Sequence, residues 1–186
     1  MTNSLIENSC LHDIDRVALL IDGYHARAIA VQMDVTPDFR AVHHAIKSVC
    51  RLQTARYYTA VPNNPEEEHG HARLLDWLDF HNFKTTRIPC DHPNPSTVAV
   101  EMALDAITLA DSMDHIILAA GLPCYERVVT EVQARGCAVS IWSNREFGFA
   151  TTSLVRAADE YMDLGEFFNK TGKPFRRHAE FRHAAE

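Results

Sequence analysis

The stretch RVALLIDGYHARAIA, residues 16–30, decides how the chain is read: an apolar run ends abruptly in Asp22, Gly23 and, two residues on, His25. A short run this apolar reads as a strand buried on both faces, and a carboxylate at its carboxyl end stands where open α/β sheets place their ligands. Asp22 is therefore either a site residue or the cap of the next helix.

Four more short runs rich in β-branched or aromatic residues follow, at 54–61, 83–89, 115–120 and 137–142. Segments 37–52, 66–81, 95–110 and 125–136 carry apolar residues at helical spacing. Pro37 and Pro95 stand near helix starts, Asp111 closes one helix, and Gly136 sits where a C-terminal glycine cap belongs. Strands alternating with helices predict an α/β fold, a three-layer, mainly parallel sheet of about five to six strands with its crevice at the strands' carboxyl ends.

The 186 residues suit one domain. Residues 1–15 read as a loose lead-in, 16–164 as the domain, and 165–186 as a C-terminal arm with five Lys/Arg against three Glu and four Phe. That arm is either a docked or frayed terminus, or a strand-binding arm that joins Phe stacking to Arg contacts. Hydrophobic residues make up 46% of the chain, yet no apolar run approaches the ~18 residues of a membrane span, so a cytoplasmic protein without a membrane partner is expected. The net charge of −7 excludes a surface coated for duplex DNA and leaves only local contacts to nucleic acid. Cys10, Cys50, Cys90, Cys124 and Cys137 are odd in number and widely spaced, which predicts reduced, mostly buried thiols.

The pieces ALLIDGYH, ARYYTAV, LLDWLDFHNFKTTRIP, STVAVEMALDAITLA, HIILAAG and SLVRAADEYMDL follow one another in an order that resembles the NYN domain family, a PIN-like nuclease-fold group that includes the LabA-like bacterial proteins. The likeness runs from about residue 16 to 164. It implies metal-dependent RNA cleavage, with Mg²⁺ or Mn²⁺ held by several carboxylates at the strand ends.

Asp22 matches the family's first acid, and His25 stands where an asparagine is usual. Asp105 matches the second acid of the fourth helix, but Ala99 takes the place of the first. Glu101, two residues further, projects roughly 200° away from position 99 and pairs instead with Asp105 at i, i+4, a hint of a displaced site. After the fourth strand the family's Ser-Gly-Asp-x-Asp becomes Ala120-Gly121-Leu122-Pro123-Cys124, which removes both aspartates. The expected catalytic set shrinks to Asp22, Asp105 and Glu101, and the expected metal ligands to Asp22 and Asp105.

Cys124 at a helix start could have its pKa lowered by the helix dipole, with His25 as a partner across the crevice, or be a structural thiol. Asn144 and Arg145 at a strand end are candidate phosphate or partner contacts, or plain surface. Of Tyr57 and Tyr58, which alternate faces, at most one reaches a site. Trp77 reads as core or as part of a dimer interface. Three functions remain: a degenerate NYN domain that binds RNA or protein, a working metal-dependent ribonuclease with a rearranged site, and a subunit of a homo-oligomer.

Overall fold

In a computed structural model, residue 6 and residues 9–62, 65–91 and 94–174 are described; for residues 62, 65–71 and 95 only the backbone is. A six-stranded sheet runs in the order β4-β3-β1-β5-β6-β7, built from β1 (Val17–Asp22), β3 (Leu52–Pro62), β4 (Lys84–Cys90), β5 (His115–Ala119), β6 (Ala138–Ser143) and β7 (Glu160–Asp163). Every neighbouring pair in it is parallel. A short antiparallel ribbon joins β2 (Val35–Thr36) to β8 (Lys173–Pro174).

All six residues of β1 are buried, because helices cover both faces of a central parallel strand. Val17, Leu19 and Ile21 enter the core beneath α1 (Gly23–Gln32), α2 (Phe39–Val49), α3 (Pro65–Phe80) and α7 (Leu164–Thr171). Ala18 and Leu20 enter the other core, beneath α4 (Pro95–Ala110), α5 (Tyr125–Gln133) and α6 (Thr152–Ala157). Asp22 continues the second face by alternation, in register with Tyr58 of β3. The chain runs from β1 to β3 on one side, while β5 lies on the other, so the sheet's topological switch point is at Asp22.

The expected α/β class and parallel sheet are as found, with β7 as the sixth strand. Within the N-terminal lead-in, Leu11 is fully buried, and Glu160 accepts the Cys10 backbone N–H at 2.9 Å. The start of the C-terminal arm is α7, whose Phe167 and Phe168 are fully buried; residues 175–186 lie outside the described residues. All five cysteines are free, but only Cys137 is buried; Cys50 and Cys90 are half-buried, and Cys10 and Cys124 are exposed. No helix among the described residues is long and apolar enough to cross a membrane.

Candidate functional site at the switch point

Asp22 is fully buried where β1 gives way to α1. Its Oδ1 accepts the backbone N–H of Tyr24 at 2.9 Å and of His25 at 3.1 Å, so it caps the helix. Its Oδ2 is buried with no hydrogen-bond partner. Burial pushes the carboxyl pKa up to about 6, against the two N–H bonds that favour the ion. The site and cap readings of Asp22 are thus compatible, since one oxygen caps and the other is left over.

His25 stands one turn into α1 with Nε2 buried and unpartnered, and burial pushes its pKa down to about 4. The ring meets Phe149 edge-on, with centroids 6.0 Å apart. Behind β5, a Cβ on Gly121 would lie 1.7 Å from the Phe149 carbonyl oxygen and 2.5 Å from His25 Cε1. The β5 end, α1 and the Phe149 loop are therefore closed tightly on one another, and only glycine fits at 121.

On the α4 and α5 side, Ala99 is buried in the core with Tyr58 and Tyr125, and Leu122 packs against the same cluster. Tyr125 is fully buried and donates its hydroxyl to Met102 Sδ at 3.4 Å. Asp105 Oδ2 accepts the Tyr58 hydroxyl at 2.6 Å and lies 2.6 Å from Arg56 Nη1. Partial burial alone would raise the Asp105 pKa, but the hydrogen bonds from Tyr58 and Arg56 outweigh it and hold the carboxyl below its ordinary value. Glu101 is exposed on α4. Neither Glu101 nor Asp105 contributes to the shift at Asp22, and among the described residues no three His, Cys, Asp or Glu side chains converge as a metal site would require. The structure does not bring Asp22, Asp105 and Glu101 together.

Two further candidates have defined surroundings. Cys124 precedes α5, and partial burial pushes its thiol pKa up, with the charge of Asp22 adding to the effect. No hydrogen bond joins it to His25 among the described residues. Asn144 is 2% exposed; its Nδ2 donates to both oxygens of Asp163, at 3.1 and 3.2 Å, and its Oδ1 accepts the Phe147 N–H at 3.0 Å. It braces the end of β6 against β7 and has nothing left for a phosphate. Arg145 is exposed, with its guanidinium 6.0 Å over the Tyr161 ring. Both tyrosines of β3 are core: Tyr57 packs on Phe39 at 5.4 Å, while Tyr58 reaches through the other layer to Asp105. The sequence left the choice between Tyr57 and Tyr58 open and did not bring Phe149 or Arg56 into this region, because long-range partners leave no local spacing to read.

The family model of the NYN domain matches residues 16–165. The chain belongs to the NYN domain family. A crystal structure of a Vibrio parahaemolyticus protein of unknown function is similar to this NYN chain, with a TM-score of 0.65 and 19% identity over 81% of this chain and 93% of that one. At that identity the likeness shows the fold alone. A Listeria monocytogenes crystal structure described as a UDP-N-acetylglucosamine 2-epimerase aligns at a TM-score of 0.42 and 11% identity, over 87% of this chain and 43% of that one, too loosely to carry an argument. A search of curated proteins found no match. Membership gives this NYN chain a PIN-like nuclease type of fold.

Proposed function

We propose that this NYN domain is a pseudo-nuclease that binds RNA without cutting it. The observation that carries this reading is the state of Asp105: the other acid in a family position has its Oδ2 engaged by Tyr58 and Arg56. That leaves Asp22 as a single carboxylate among Ala99, Leu122 and Tyr125. Mg²⁺ or Mn²⁺ with near-octahedral oxygen ligands does not fit such a donor set, and the exposed thiol of Cys124 is too soft to replace a carboxylate. Glu101, exposed on α4, is likewise outside it.

Arg145 and the neighbourhood of His25 remain as the strand-end groups that would meet RNA, through the guanidinium and the rim of the closed crevice. Five free thiols fit a reducing compartment, consistent with the cytoplasm. The test is an incubation of mixed single-stranded RNA with Mg²⁺ or Mn²⁺, wild type against Asp22→Asn, alongside a binding titration at several salt concentrations. Binding that weakens steeply with salt and no cleavage by either protein is the expected result. Cleavage by the wild type that disappears in Asp22→Asn would overturn the proposal in favour of a rearranged ribonuclease site.

One observation supports a second property, self-association. Val100 and Leu104, one turn apart on α4, are 62% and 59% exposed, an apolar stripe of the kind that marks interfaces. A homodimer through this face is tested by light scattering of the wild type and Leu104→Glu; monomers in both would remove it.

A further inference from the structure

We infer that the chain carries a second strand-binding site, remote from the strand ends: a cavity of about 420 Å³ between α2, α3 and the β2–β8 ribbon. It would take one nucleotide unit of single-stranded RNA, the base against Trp77 and the phosphate between Arg40 and Lys173. The inference extends the RNA-binding reading but does not depend on the Asp22 crevice, which faces the opposite layer of the sheet.

Four lining side chains carry the argument. Trp77 is half-buried and stacked on His81, with ring centroids 4.0 Å apart and planes 28° from parallel. Packing against the core fixes the Trp77 ring, and the stack on Trp77 holds His81, before any ligand arrives, so stacking costs little side-chain entropy. His81 Nδ1 lies 2.7 Å from the Trp77 carbonyl oxygen. A carbonyl can only accept, so Nδ1 carries the proton and Nε2 is left as an acceptor, suited to the amino or imino N–H of a base.

Arg40 and Lys173 line the same cavity, and among the described residues neither has a carboxylate within ion-pairing distance. Asp38 also lines it, but its Oδ1 is turned to the Ala41 N–H as the cap of α2. Two cations without an ion pair among the described residues, beside a rigid ring pair, suit a planar group tethered to a phosphate; a purely apolar ligand would leave both charges unanswered.

The experiment is fluorescence anisotropy of a labelled oligouridine with the full chain over a range of salt concentrations. Trp77→Leu is expected to weaken binding about tenfold. The double variant Arg40→Ala/Lys173→Ala should weaken it and flatten the salt slope by about 0.7, the value for one phosphate contact on a single strand. Circular dichroism checks that each variant is folded, and the two cation changes lie at the surface. An unchanged slope with affinity within about twofold in the double variant overturns this inference. If binding then falls only in Arg145→Ala, the strand-end reading stands without it; if it falls only in the Trp77 and cation variants, this site stands and the strand-end contacts fall. No binding by the wild type removes both.

Discussion

Asp105 Oδ2 sits 2.6 Å from Arg56 Nη1, so this carboxylate of α4 already has its cation, supplied by strand β3. The Tyr58 hydroxyl completes the arrangement at the same distance. A divalent ion at Oδ2 would have to displace a guanidinium and a buried phenol together.

Tyr58→Phe removes one donor from a half-exposed carboxylate that keeps Arg56, and is expected to cost about 1 kcal/mol of stability. Asp105→Ala leaves the buried Tyr58 hydroxyl and Arg56 without their acceptor, and should cost about 2 kcal/mol. The double variant should be less destabilised than the sum, because the two changes delete one shared bond. Urea unfolding of the four proteins measures the coupling; strict additivity would mean that the contact contributes nothing.

The strand ends of this fold were legible from the sequence because buried parallel strands are short apolar runs, and β1, VALLID, is the plainest of them. The helix α1 and strand β7 were not. GYHARAIAVQ has no wide apolar stripe, since it packs with only Gly23, Ala26, Ile29 and Ala30 buried. EYMD is four residues with every side chain half-buried, so it has no alternation to show. Ala99 and Leu122, where the resemblance implied acids, could be read from the sequence. The bond between Tyr58 and Asp105 could not, because the two are 47 residues apart and meet only through the fold.

Gly121 and Gly136 offer a contrast in why glycine is needed. At 121 an added methyl would collide with the Phe149 backbone, so Gly121→Ala should destabilise by about 2–3 kcal/mol through overpacking. At 136 the space is open but φ is +79°, so Gly136→Ala should cost about 1–2 kcal/mol from backbone conformation alone. Thermal unfolding ranks the two; a milder effect at 121 would mean that the Phe149 loop yields.

Asn144→Ala removes the brace between β6 and the start of α7. Asp163 keeps the Glu166 N–H at 2.8 Å, so the helix stays capped, while the Phe147 N–H loses its acceptor. A loss of about 2 kcal/mol is expected. Asn144→Asp should be worse, because it sets a second carboxylate against Asp163. Equal stability of the two variants in urea would argue against the hydrogen bonds as the cause.

Asp22 and His25 titrate in opposite senses in one small region, and their effects on stability are expected to mask each other. Folding raises the Asp22 carboxyl from 3.8 to about 6. Its contribution is fully present below the unfolded value and is gone once the pH has risen through the folded one, which corresponds to about 3 kcal/mol. Folding lowers His25 from 6.5 to about 4. Its contribution is fully present above 6.5 and is lost as the pH falls through the folded value, again about 3 kcal/mol. Between pH 7 and pH 4 the wild type gains from one group what it loses from the other. Asp22→Asn keeps a cap oxygen and removes one titration, so its stability should fall on acidification relative to the wild type. His25→Leu removes the other, and its stability should rise over the same interval. Urea unfolding at each pH decides the matter: curves of the two variants that diverge in opposite directions from the wild type confirm that both groups are neutral when buried, whereas parallel curves would mean that a partner, a cation at Asp22 above all, holds the charge in the folded protein.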